Sequence, residues 1–191
     1  MLRASILLLA FLLTAQADDA LDTLSSSIAL GGQEVLAAVR SAPAVQVQRV
    51  DSPDPSTYAE GERPPILELG KPFPVPAEAA AELRKILTEG RTYLAPPKRC
   101  RFRANVRYLF EGTGSPVSLV LCFGCGELEV WRDGQMLAFS PFDAAYGRLL
   151  AVSQRLFPDD AFLAEFSPKV FEERAKAMRD SAEQGDPMQQ H

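Results

Sequence analysis

The clearest pattern in the chain is a period of two. Cys100, Phe102, Ala104, Val106, Tyr108 and Phe110 alternate with Arg99, Arg101, Arg103, Asn105, Arg107, Leu109 and Glu111. Successive strand side chains point to opposite faces, so this alternation predicts a strand with one apolar face. Gly112-Thr-Gly-Ser115 turns it around. Val117–Phe123 is apolar at nearly every position, as expected of a central strand covered on both faces. Glu127–Arg132 is a further strand, and Asp133-Gly134 is a two-residue hairpin signal leading into Gln135–Phe139. Together these four runs predict an antiparallel meander.

Helical periodicity brackets the meander. Ala80, Leu83 and Leu87 share one face of a helix over Ala77–Glu89, which Gly90 is placed to end. Ala145, Leu149, Val152 and Leu156 make a stripe along Phe142–Phe157, which Pro158 stops. A short helix is expected over Gln33–Arg40 and another over Pro168–Asp180. Two earlier strands are expected at Ala44–Val50, where valines alternate with polar residues, and at Ile66–Leu69. Between them Pro53, Pro55, Pro64 and Pro65 mark a surface loop, because proline lacks the N–H that a ladder uses.

These elements specify an α+β domain: an antiparallel β-meander packed against two main helices, with a disordered C-terminal tail. Residues 1–17 read as a signal peptide, 18–65 as an N-terminal helix, strand and proline-rich loop, 66–180 as the core, and 181–191 as the polar tail. The leader has one basic residue, Arg3, an apolar run over Ile6–Leu13 too short to span a bilayer, and Ala15-Gln16-Ala17 before Asp18. Secretion or export to the periplasm is the expected destination. Cleavage takes one of the 20 basic residues and none of the 25 acidic ones, leaving a net charge of −6. That balance argues against nucleic acid as a partner, and no membrane span is expected after cleavage.

The candidate chemistry lies in three cysteines. Outside the cytoplasm cysteines oxidise, and an odd number leaves one thiol after a single bridge. Cys122 and Cys125 form a Cys-x-x-Cys pair with Gly124 and Gly126 flanking the second member. A redox pair of the thioredoxin kind requires a helix after its first cysteine, whereas Glu127-Leu-Glu-Val-Trp131 continues as a strand. A zinc knuckle would use Cys100, Cys122 and Cys125 and still need a fourth ligand; the sole histidine is His191 at the chain end. The favoured expectation is a structural disulfide with no cofactor, either within the pair or from Cys100 to one member; zinc is the alternative.

Arg99, Arg101, Arg103 and Arg107, with Lys98 beside them, form a basic edge suited to an acidic ligand or protein partner. The competing reading is a solvated face paired across strands with Glu127 and Glu129. Phe102, Tyr108, Phe110, Phe123 and Trp131 read as core aromatics, and Asp160 as a helix cap. With a single histidine at the chain end, Ser-His-Asp and Cys-His catalysis lack a base, and no phosphate loop or dinucleotide fingerprint occurs. A non-catalytic structural or binding module is therefore favoured over an enzyme, and the alternative is a thiol-based metal-binding or redox protein using Cys100, Cys122 and Cys125.

From Ile86 to Asp160 the order of features resembles a family of uncharacterised bacterial exported proteins. The resemblance rests on Ile86-Leu87 with Thr92-Tyr93, on Cys100 heading an alternating strand, on Leu121-Cys-Phe-Gly-Cys125, and on Leu156-Phe-Pro-Asp-Asp160. It implies a shared domain and shared roles for the three cysteines. The family has no assigned activity, so it names no substrate.

Overall fold

The computed structural model describes residues 20–54, 57–58, 62–94, 101–173 and 176. The leader, the tail, Lys98, Arg99 and Cys100 lie outside the described residues. The architecture is α+β. One antiparallel sheet has the order β2-β1-β4-β5-β6-β7, with β3 also paired to β1.

The meander is β4 (Val106–Glu111), β5 (Val117–Cys122), β6 (Glu127–Arg132) and β7 (Gln135–Pro141). Its first three strands take their register from the apolar pattern: Tyr108 faces Leu119, which faces Val130. The β6–β7 hairpin turns through Asp133 and Gly134, at φ 53° and 73°. That is the left-handed pair the Asp-Gly sequence favours. A bulge at Val130/Trp131 then shifts the register. β1 (Ala44–Asp51) lies along the outer edge of β4, and its own outer edge carries β2 (Leu67–Glu68) and β3 (Phe73–Pro74).

Helices cover one face of this sheet. They are the two main helices expected, α3 (Ala77–Thr88) and α4 (Tyr146–Leu156), together with the short helix expected near Gln33, α2 (Gln33–Ser41). Val35, Leu36 and Val39 of α2, Leu83, Ile86 and Leu87 of α3, and Leu149, Leu150 and Val152 of α4 pack on Val45, Val47, Tyr108, Leu119, Leu121 and Val130. Residues 20–29 form α1, which the sequence pattern did not announce, and 168–173 are helical (α6). The four-residue α5 (Ala161–Ala164) is capped by Asp160, whose side chain accepts from the Leu163 N–H at 2.8 Å.

The opposite face carries a second, smaller cluster, none of whose described residues lies in a helix. Val50, Ala104 and Val120 form a small second core, closed by Ile66, Phe102 and Trp131. Two segments thus lie across the outer face, the end of the proline-rich stretch and the residues ahead of β4. They place the cysteine turn at the junction of both layers.

Candidate functional site

β5 ends at Cys122, and the chain turns through Phe123, Gly124, Cys125 and Gly126 before β6 starts at Glu127. The turn is closed by the Gly126 N–H donating to the Cys122 carbonyl at 2.9 Å. Gly126 adopts φ 67°, and a side chain there would also meet the Phe171 ring at 2.6 Å and Asp143 Oδ1 at 2.7 Å. Glycine is required on both counts. No helix follows Cys125, so the helix-dipole device of a thioredoxin-type pair is missing from this turn.

Cys122 is a free, buried thiol. Of the expected disulfides, the two that use Cys122 are therefore not formed. Cys122 and Cys125 approach to 3.4 Å with no bond between them. The Arg103 N–H donates to Cys122 Sγ at 3.4 Å, and the N–H groups of Cys125 and Gly124 also point at that sulfur. Burial pushes the thiol pKa up, with Glu127 adding to the rise. The three N–H groups work against this but do not cancel it. The Cys125 sulfur lies 3.4 Å from the carbonyl oxygen of Arg101. Among the described residues no three His, Cys, Asp or Glu side chains gather to hold a metal.

Asn105 anchors the turn to the rest of the sheet. It is buried, its Oδ1 accepts from the Phe123 N–H at 2.6 Å, and its own N–H continues the ladder to the Leu121 carbonyl at 2.8 Å. The strand expected to start near Cys100 instead begins at Val106. The reason is local. β5 runs out at Cys122, so the amide of Arg103 meets a sulfur where a ladder would offer a carbonyl.

The arginines do not share one set of partners. Arg103 holds Asp51 with two bonds of 2.9 and 3.1 Å, and Arg107 holds Gln48 Oε1 at 3.2 Å and Glu68 at 2.9 Å. The expected pairing with glutamates of β6 is replaced, for these two, by carboxylates of β1 and β2. Burial works to raise the Asp51 pKa, but the bond from Arg103, the Ser52 N–H and the charges of Arg103 and Arg49 outweigh it and leave it lowered. Arg101 is also engaged, and Arg99 lies outside the described residues.

A cation absent from the sequence-based candidates, Arg49, holds Asp160 at 2.7 Å and also donates to the carbonyls of Val50 and Asn105. Its guanidinium lies 5.1 Å from the Phe162 ring centre and that of Arg103 lies 5.2 Å from it. This cluster fastens the α4–α5 connection to the sheet end beside the cysteine turn. Arg49 falls in register with Val45 and Val47, so it ends the apolar face of β1, and nothing in the strand pattern marks the Asp160 that it meets there.

Glu129 also differs from its expected place on a solvated face. It is buried, accepting from Trp131 Nε1 at 2.9 Å and from Arg63 Nη1. Burial raises its pKa above the ordinary glutamate value of 4.5, against the opposing pull of Trp131 and Arg63. A carboxyl whose folded pKa is raised contributes stability that is fully present below pH 4.5 and is lost as pH rises through the folded pKa. Glu129→Gln should remove that decline, although its single amide oxygen can keep only one of the two bonds, which lowers the variant's stability equally at both pH values. Urea unfolding at pH 4.5 and 7.5 should show the variant gaining on the wild-type protein at the higher pH. An identical pH slope in the two proteins would contradict this.

No family model, curated protein or solved structure matches this chain.

Proposed function

We propose that the chain is a secreted or periplasmic, non-catalytic structural or binding module. In this reading a single disulfide, Cys100–Cys125, ties the segment ahead of β4 to the β5–β6 turn. The observation that carries it is the state of Cys122. With that thiol free and buried, an intramolecular bridge from Cys125 can only reach Cys100. The position of Cys125 supports this, since its sulfur sits against the carbonyl of Arg101, the residue next to Cys100. Export rests on the leader at residues 1–17 and on the oxidation that such a destination favours.

Such a bridge has a mechanical role. It holds Phe102 and Ala104 over Val50 and Val120 in the smaller core. An acidic ligand or protein would meet this region at the arginines of residues 99–107, two of which already grip carboxylates in the way a partner would be gripped. The runner-up is a thiolate metal site of the zinc type, favoured only by the three N–H groups aimed at Cys122 Sγ, which suit a metal-bound thiolate.

Alkylation in denaturant without reductant, read by intact mass beside a metal assay, separates the two. The disulfide reading predicts one modified thiol, three after reduction, and no stoichiometric metal. Three thiols with one bound zinc would replace it with the metal reading.

A further inference from the structure

We propose that Cys122 is the resident nucleophile of an intramolecular thiol–disulfide exchange that moves the bridge from Cys100–Cys125 to Cys122–Cys125. This rests on the Cys100–Cys125 bridge of the preceding subsection. The geometry behind it is the turn itself. Cys122 comes within 3.4 Å of Cys125, and the closing bond from Gly126 N–H to the Cys122 carbonyl fixes the two ends of the turn. A cysteine kept only as a small apolar filler needs no donors at its sulfur. Cys122 has the N–H groups of Arg103, Gly124 and Cys125 directed at it, and the Arg103 guanidinium is near enough for its charge to interact with the thiolate. These groups favour the anionic sulfur, which is the attacking form.

The exchange is balanced within the chain. Cys122 loses its proton to water and its thiolate attacks Cys125 Sγ. A Cys122–Cys125 bond forms as the Cys125–Cys100 bond breaks, and Cys100 leaves as a thiolate that takes a proton from water. One disulfide and one thiol are present before and after, so no oxidant or reductant is consumed. The consequence is positional: the new bridge lies inside the turn, and the segment ahead of β4 is released from it. Burial keeps the thiolate of Cys122 scarce, which makes the exchange slow at neutral pH and faster in alkali.

The sequence makes the test direct. Trypsin cleaves after Arg99, Arg101, Arg107 and Arg132, so Cys122 and Cys125 share the peptide 108–132 while Cys100 falls in another. Native protein is incubated with N-ethylmaleimide at several pH values, quenched in acid, digested and mapped by mass. The expected result is alkylated Cys100 together with an internally bridged peptide 108–132. Its rate should rise about tenfold per pH unit while the thiolate is the minor form, and Cys122→Ser should abolish it. Label confined to Cys122, with the Cys100–Cys125 link intact at every pH, would overturn the exchange and leave the bridge standing. Label on all three cysteines at the first time point, in protein alkylated without reductant, would remove the bridge and the exchange together.

Discussion

Cys125→Ser is expected to lower the stability of the oxidised protein by about 3–4 kcal/mol. A bridge from Cys100 to Cys125 closes a loop of roughly 25 residues, and the chain-entropy relation gives about 3.5 kcal/mol for a loop of that size. The cost arises because the unbridged unfolded chain regains its freedom, so it should reach the wild-type protein equally when reductant is added. Urea unfolding with and without dithiothreitol checks this. The wild-type protein in reductant should fall to the level of the variant, and the variant itself should be insensitive. Cys122→Ser, which leaves the bridge in place, should retain the response to reductant. A wild-type midpoint that does not move on reduction would contradict the assignment.

Phe123→Ala is expected to cost about 3–5 kcal/mol, the range for removing a large side chain from a packed core. Phe123 sits between the two cysteines of the turn, yet its ring points into the main core. It meets Phe142 and Tyr146 edge-on at 5.8 and 5.9 Å and Phe166 at 6.1 Å. Alanine keeps both backbone bonds, from the Phe123 N–H to Asn105 and from the Tyr146 hydroxyl to the Phe123 carbonyl. The loss is therefore the packing alone. Thermal unfolding should fall by roughly 10 °C for a domain of this size. Faster alkylation of Cys122 in the native state should accompany it, because the ring wedges the turn shut. A loss below 1 kcal/mol would mean that the aromatic cluster does not hold the turn.

Much of the fold was legible because burial follows the sequence period where the chain is sandwiched. Val106, Tyr108 and Phe110 are all buried, as are Ala80, Leu83 and Leu87. Pattern reading fails where burial and hydrophobicity part. In α1 the exposed positions are Leu21, Leu24 and Ile28, while Ser26, Ser27 and Ala29 turn inward, so the stripe points the wrong way for recognition. β3 contains a proline and spans two residues, too short for any period to register.

The cysteine turn was half legible. Its place between two strands followed from the pattern, and so did the lack of a helix after Cys125. The partners did not. Glu129 reads as a surface residue because one of the two groups that hold it, Arg63, lies 66 positions away in sequence. Asn105 likewise looks like an outward polar position. What buries it is the end of β5, which turns Phe123 back so that its amide needs an acceptor.

The account stands on which sulfurs are joined. Freshly purified protein should be unfolded in denaturant at about pH 5, where too little thiolate forms for the bridge to move, alkylated there at once without reductant, then digested with trypsin and mapped. Cys100 should be found linked to peptide 108–132, with the single label on Cys122. A peptide 108–132 closed on itself from the outset, with the label on Cys100, would contradict it.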